Sequence, residues 1–244
     1  MPVVTDILGP GGPVWCVLVA AGSGRRYGGA KQFESISGRR VLDRSLDTAL
    51  AACDGVVLVV SSESVEAERR LAEDRSAGGD VAPAAVVAGG ATRSESVRRG
   101  LDAVPDDAAV VVVHDAARPL ATPPLFSRVV RAVVDGAAAA VPVVPVVDTI
   151  RRTDGSVVDR DELRAVQTPQ AFDAASLRAA HADGSDATDD ASLVQAAGGN
   201  VVLVDGDVRN VKLTTPEDRL VIEAYLAAGP VGESAPQGPG GGDS

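Results

Sequence analysis

Aromatic side chains are nearly missing from this chain: Phe, Tyr and Trp together make up 2% of its 244 residues. Its core must therefore be built from Val, Ala, Leu and Ile, and a hydrophobic content of 45% is enough for one large α/β domain. Cysteine is as scarce. Cys16 and Cys53 are too few and too far apart for a disulfide framework or a zinc cluster, and Cys16, inside an apolar run, reads as a small hydrophobe. The two histidines, His114 and His181, cannot build a metal site alone. No apolar run approaches the length of a membrane span, and the opening MPVVTDILGPGGP lacks the charged start of a signal peptide. A cytoplasmic protein is the expectation. The net charge of -11 argues against a protein that coats nucleic acid or an anionic membrane.

Lysine is the rarest charged residue. Of 23 basic residues only Lys31 and Lys212 are lysine, and all others are arginine. A compact ammonium works where a planar guanidinium does not, so these two positions merit separate attention. Lys31 lies in VAAGSGRRYGGAKQF, Val19 to Phe33, which also carries Arg25, Arg26 and four glycines, with no acid before Glu34. Such a loop folds poorly on its own account, because glycine costs backbone entropy and like charges repel.

Around that loop the text alternates between buried strands and helices. Val14 to Ala21 is a continuous apolar run ending in glycines, as for a buried parallel strand. Gly55 to Ser62, Ala84 to Gly90 and Ala108 to Val113 read as further strands, and Ala137 to Val147 is an apolar run interrupted by prolines. Helical spacing covers Val41 to Cys53, Ser64 to Arg75, Ser94 to Val104 and Pro123 to Val134. This order predicts an α/β, Rossmann-like, mostly parallel sheet with helices on both faces.

The alternation breaks at Asp148 to Pro169, where polar residues and an Asp154-Gly155 turn signal predict a β-hairpin arm projecting from the sheet. Two helices (Ala174 to Ala182, Asp189 to Ala197), the strand NVVLVDGD and a last helix from Pro216 to Ala228, with Thr215 as its N-cap, complete the domain. The organisation expected is a flexible segment over 1–12, one domain over 13–228 containing the arm over 148–169, and a disordered tail over 229–244.

The glycine loop fits neither common phosphate device. A dinucleotide fingerprint needs G-x-G-x-x-G opening into a helix, but Gly22, Gly24 and Gly28 are spaced G-x-G-x-x-x-G and the next helical pattern starts near Val41. A P-loop needs Gly-Lys-Ser/Thr, whereas Lys31 stands between Ala30 and Gln32. What remains is a long loop at the carboxyl end of the first strand, where backbone N–H groups at 21–24 and the cations Arg26 and Lys31 could surround a triphosphate. The bland reading is a solvated basic loop. HDAARP, His114 to Pro119, ends another strand; Asp115 could meet a ribose hydroxyl, a hydrated metal ion or a polar substrate, and Arg118 a phosphate. For His114 a packing or hydrogen-bonding role is the expectation.

Taken in order, AAGSGRR…KQF, GG…R…SV, VHDAARP, DTI, QTPQ.F, TDDAS and NVKLTTPEDR resemble the 2-C-methyl-D-erythritol 4-phosphate cytidylyltransferases of the non-mevalonate isoprenoid pathway, over about Val14 to Leu226. The resemblance implies attack by the phosphate of methylerythritol phosphate on the α-phosphorus of CTP, with pyrophosphate leaving. It makes Arg26 and Lys31 the transition-state stabilisers. It puts Lys212 on the substrate phosphate and makes Arg160 a positioning group. Ala20, Ala21, Gly22 and Gly24 would line the nucleotide, with Gly90 and Ser96 near the cytosine and ribose, and Asp115 beside both substrates. Arg118, Thr149, Thr168 and Thr188 would surround the methylerythritol phosphate. Magnesium would bridge the CTP phosphates with few protein ligands. A homodimer would form through the 148–169 arm, Thr149 and Arg160 serving the neighbouring subunit. Ala91 departs from a position that is often acidic in relatives. Rival readings are a cytidylyltransferase for another polyol phosphate such as ribitol 5-phosphate, a guanylyl- or uridylyltransferase, and a catalytically silent nucleotide-binding module.

Overall fold

A computed structural model describes residues 12–22, 24 and 27–229. The expected flexible segment over 1–12 and tail over 229–244 thus lie almost wholly outside the described residues. So does Arg26.

The chain opens with Val14–Ala20 (β1), followed by a small hairpin of Ser35–Ile36 (β2) and Arg39–Arg40 (β3). Then come Val41–Ala52 (α1), Gly55–Val60 (β4), Val65–Ala77 (α2), Ala85–Ala88 (β5), Arg93–Leu101 (α3) and Val110–Asp115 (β6). Pro123–Val134 (α4) leads to Ala139–Pro145 (β7) and to the small hairpin of Ile150–Arg151 (β8) and Val157–Val158 (β9). Arg164–Val166 (β10), Gln170–Asp173 (β11), Ala174–His181 (α5), Asp190–Ala196 (α6), Val201–Asp205 (β12) and Pro216–Ala228 (α7) follow.

Eight strands form one sheet. Its path runs β10-β7-β11-β6-β1-β4-β5, and β12 also pairs with β7. β10 and β11 are antiparallel to their neighbours, whereas β1, β4, β5, β6, β7 and β12 share one direction. β4 and β6 are buried along their whole length, which is why they read as unbroken valine runs without alternation. One apolar layer (Leu18, Leu46, Leu58, Phe126, Val129) packs on one face of the sheet and a second (Val17, Val59, Val97, Phe172, Leu177) on the other. At roughly 1.5–3 kcal/mol per fully buried Val, Leu or Phe, these layers replace the aromatic core that the composition denies. Cys16 and Cys53 are both free and buried in the first layer.

Two differences from the sequence expectation share one cause. The Asp154-Gly155 hairpin forms, with Gly155 at φ +88 and Asp154 accepting from the Ser156 N–H at 2.8 Å. The arm is shorter than 148–169, however, because Arg164–Val166 turns back and pairs with Val143–Pro145. Gln170–Asp173 then inserts antiparallel between β6 and β7. Backbone pairing to two buried neighbours outweighs the polar, proline-bearing character of QTPQAF, whose first three residues close the expected arm.

At one end of the sheet α7 and the β2–β3 hairpin brace the loops that matter below. Ile36, Val41, Leu213 and Ile222 form a small buried cluster between them. The Asp218 carboxylate accepts from the backbone N–H groups of Thr214 and Thr215, at 2.7 Å each, and fixes the start of α7. Lys212 is thereby held two residues before a backbone N–H, that of Thr214, which is bonded to α7.

Candidate active site

A cleft of about 790 Å³ opens at the carboxyl ends of β1, β5 and β6, where open α/β sheets bind their ligands. Ala20, Ala21, Gly22 and Gly24 line it from the glycine loop, Gly90 from the β5–α3 turn, Ser96 from the first turns of α3, and Asp115 from β6. Lys31 and Lys212 line the same cleft. The only two lysines of the chain, 181 positions apart, therefore converge on one space.

The loop is held from behind by Gln32. This buried amide donates from Nε2 to the carbonyls of Ala20 at 2.8 Å and Gly22 at 3.2 Å. In a trans peptide the N–H points opposite the carbonyl, so holding the Ala20 carbonyl to Gln32 turns the Ala21 N–H to the other side. Gly24, at φ +62, receives the N–H groups of Tyr27 and Gly28 on its carbonyl, which folds the loop back toward the 3₁₀ turn Lys31–Phe33. Opposite, a Cβ at Gly89 would lie 2.3 Å from the Ala21 Cβ, so glycine is what lets the β5 turn close on the loop. The Gly90 N–H donates to Ser96 Oγ at 3.0 Å, and Glu95 Oε2 accepts from the Ala91 N–H at 2.7 Å.

Two cations and two carboxylates meet at the far wall and directly behind it. Lys212 Nζ lies 2.5 Å from Asp115 Oδ2. Arg93 Nε lies 3.2 Å from Asp115 Oδ1, and Arg93 Nη1 lies 2.6 Å from Asp190 Oδ2. His181 Nε2 sits 3.1 Å from the other oxygen of Asp190. Burial by itself would raise the Asp115 carboxyl, but the Arg93 and Lys212 charges outweigh it and hold it well below the usual carboxylate range. Desolvation likewise opposes the Arg93 charge, and its two carboxylate partners more than restore it.

A smaller recess of about 360 Å³ shares Arg93, Asp115 and Lys212 with the cleft and is lined further by Arg118, Thr168 and Thr188. Thr168 Oγ1 accepts from the Asp115 N–H at 3.0 Å and lies 3.0 Å from His114 Nδ1. Arg118, expected at a phosphate, donates to the carbonyls of Asn210 at 2.7 Å and Val166 at 3.3 Å. It closes the recess by tying the chain before β11 to the loop before Lys212. His114 is fully buried, stacked edge-on against Phe126 at 5.2 Å, and burial pushes it down to about 3. Thr149 and Arg160 line neither space; Arg160 donates to the Val147 carbonyl at 2.6 Å, out on the arm.

Sequence reasoning placed the cleft but passed over Arg93, Asp190, His181 and Gln32 as site residues. Arg93 and Asp190 stood inside the quoted motifs GG…R…SV and TDDAS, and Gln32 inside KQF. Their partners come from distant segments, which no local pattern reveals.

The model of the family 2-C-methyl-D-erythritol 4-phosphate cytidylyltransferase matches residues 14–228. The enzyme of that name from Rhodococcus jostii is 45% identical over 229 residues, covering 89% of this chain and 97% of that protein. A bifunctional enzyme IspD/IspF from Solidesulfovibrio magneticus is 44% identical over 233 residues, and the chain spans 58% of its length. Among solved structures, the cytidylyltransferase of that name from Thermus thermophilus superposes with a TM-score of 0.71 at 38% identity, covering 88% of this chain and 99% of that one. The motifs, the sheet and these matches agree: the chain belongs to the 2-C-methyl-D-erythritol 4-phosphate cytidylyltransferase family.

Proposed function

We propose that this cleft transfers a cytidylyl group from CTP to 2-C-methyl-D-erythritol 4-phosphate, releasing pyrophosphate. The observation that carries the reading is the convergence of Lys31 and Lys212 on one space, at the glycine loop on one side and at the recess on the other. The triphosphate lies along the loop at Ala21, Gly22 and Gly24, and its charge offsets the repulsion built into the loop. Lys31, with Arg26 from outside the described residues, neutralises charge at the α-phosphorus as the bond to pyrophosphate breaks. Lys212 holds the acceptor phosphate, one of whose oxygens attacks in line. Gly90 and Ser96 border the base and ribose. Thr168 and Thr188 border the carbon chain of the acceptor. The task is positioning and charge neutralisation without a covalent intermediate.

Among the described residues no cluster of three or more His, Cys, Asp or Glu side chains could cage a metal ion, and Asp115 is the one carboxylate on the described cleft lining. Magnesium would be carried on the CTP phosphates, with few protein ligands, and would neutralise charge on the departing pyrophosphate. The arm residues Thr149 and Arg160 complete the recess of a second copy in a homodimer, a reading supported by neither residue lining the cleft or the recess of its own chain. Among the described residues no helix is long and apolar enough to cross a membrane. A reaction fed by the CTP pool is in keeping with a cytoplasmic enzyme.

The test is pyrophosphate release with each of the four nucleoside triphosphates, with and without methylerythritol 4-phosphate, in magnesium. The reading requires release that depends on both CTP and that acceptor. Release with ribitol 5-phosphate in its place would move the specificity to another polyol phosphate, and release with no pairing would leave a binding module.

A further inference from the structure

Arg93 occupies the first position of α3, immediately after the N-cap Thr92. A cation there opposes the helix dipole, so something must hold it. Asp190 does, from the first position of α6. Its carboxylate is fully buried, with Arg93 Nη1 at 2.6 Å on one oxygen and His181 Nε2 at 3.1 Å on the other. Asp190 and His181 line neither the cleft nor the recess. The chain His181–Asp190–Arg93–Asp115–Lys212 thus runs from behind the site to the ammonium at its centre.

We propose that Arg93 and Asp190 are positioning residues that set how readily Lys212 leaves Asp115 for the acceptor phosphate. The inference rests on the cytidylyl-transfer reading, since it concerns the ammonium offered to that phosphate. Asp115 is buried, and a buried carboxylate stripped of its only cation is strongly destabilised. With Arg93 in place Asp115 keeps a counter-charge when Lys212 turns toward the substrate. Asp190 divides the attention of Arg93: it anchors the guanidinium and draws part of its charge away from Asp115. The two residues therefore act on Lys212 in opposite senses. Loss of Arg93 ties Lys212 to Asp115. Loss of the Asp190 charge commits Arg93 to Asp115 and releases Lys212.

The chain's two lysines make the test direct, because ¹⁵N-lysine labelling gives only two side-chain ammonium signals to assign, with Lys31→Arg identifying them. The Lys212 signal is followed during titration with methylerythritol 4-phosphate in the wild type, Arg93→Gln, Arg93→Lys and Asp190→Asn. Thermal unfolding and CTP titration of each variant select those that fold and bind nucleotide. Arg93→Gln should weaken acceptor binding about 10- to 100-fold, the range for loss of a charge-assisted contact. Arg93→Lys, which keeps the charge, should restore most of it, and Asp190→Asn should tighten binding. Weakening in both Arg93→Gln and Asp190→Asn, as damage to a structural strut would give, overturns the inference while leaving the transfer reading intact. An unchanged affinity in Arg93→Gln does the same. No response of Lys212 to the acceptor in the wild type overturns the transfer reading itself, and the inference with it.

Discussion

Lys212 and Asp115 are in contact at 2.5 Å across 97 residues of sequence, the ammonium on the loop before α7 and the carboxylate at the last residue of β6. This pair marks the border between the cleft and the smaller recess, since both residues line both spaces. Lys31 lines the cleft alone. The two lysines should therefore fail differently. Lys31→Ala should lower kcat about 100- to 1,000-fold with modest change in the acceptor KM, as removal of a transition-state charge contact does. Lys212→Ala should raise the acceptor KM as well. Steady-state kinetics with each substrate varied separates the two, and identical profiles would mean that both lysines serve the same phosphate.

Thr149 and Arg160 lie on the arm and line neither the cleft nor the recess of their own chain. If they serve a second copy, Arg160→Ala and Lys31→Ala chains should complement. Each mixed dimer then holds one intact site and one doubly altered site, so an equimolar re-associated mixture recovers about a quarter of wild-type activity. Activity no greater than that of the separate variants would show that each chain completes its own site.

His114 makes stability depend on pH in a definite window. Burial first, then the nearby Arg118 charge, pushes the ring down to about 3 from an ordinary value of 6.5, against the pull of Asp115. The unfolded chain takes up a proton as pH falls through about 6.5, and the folded chain does not until about 3. The stability tied to the neutral ring is thus complete above 6.5 and is lost on acidification toward 3. Its slope approaches about 1.4 kcal/mol per pH unit. Urea unfolding at a series of pH values should show this slope between pH 6 and 4 in the wild type and a flatter curve in His114→Gln. Parallel curves would contradict it.

Ser96, the one serine on the cleft wall among the described residues, already donates to the Thr92 carbonyl at 2.9 Å and accepts from the Gly90 N–H at 3.0 Å. A direct in-line transfer without a nucleotidyl-enzyme should invert the configuration at the α-phosphorus. The stereochemistry of the product from chiral α-thio-CTP decides this, and net retention would demand a covalent step.

The parts of the fold legible from sequence are those with a local cause. β4 and β6 announce themselves as valine runs because both faces are covered, α4 as an amphipathic helix opened by prolines, and the β8–β9 turn by Asp154-Gly155. The nearly polar QTPQAF gave no such sign, since β11 is a strand only by virtue of β6 and β7 on either side. The site divides the same way. Ala20 to Gly24, Lys31, Asp115 and Lys212 could be read from glycine spacing, residue rarity and strand ends. The bond from Arg93 to Asp190 spans 97 positions, and only the fold brings the starts of α3 and α6 together.

The central claim is that one phosphate of CTP is joined to the phosphate of methylerythritol 4-phosphate in this cleft. The most direct measurement is ³¹P NMR of both substrates with the enzyme and magnesium. The account predicts that the acceptor's monoester signal is replaced by a coupled diphosphate pair, with pyrophosphate growing in equal amount. An unchanged monoester signal beside CMP and pyrophosphate would mean hydrolysis, and would contradict it.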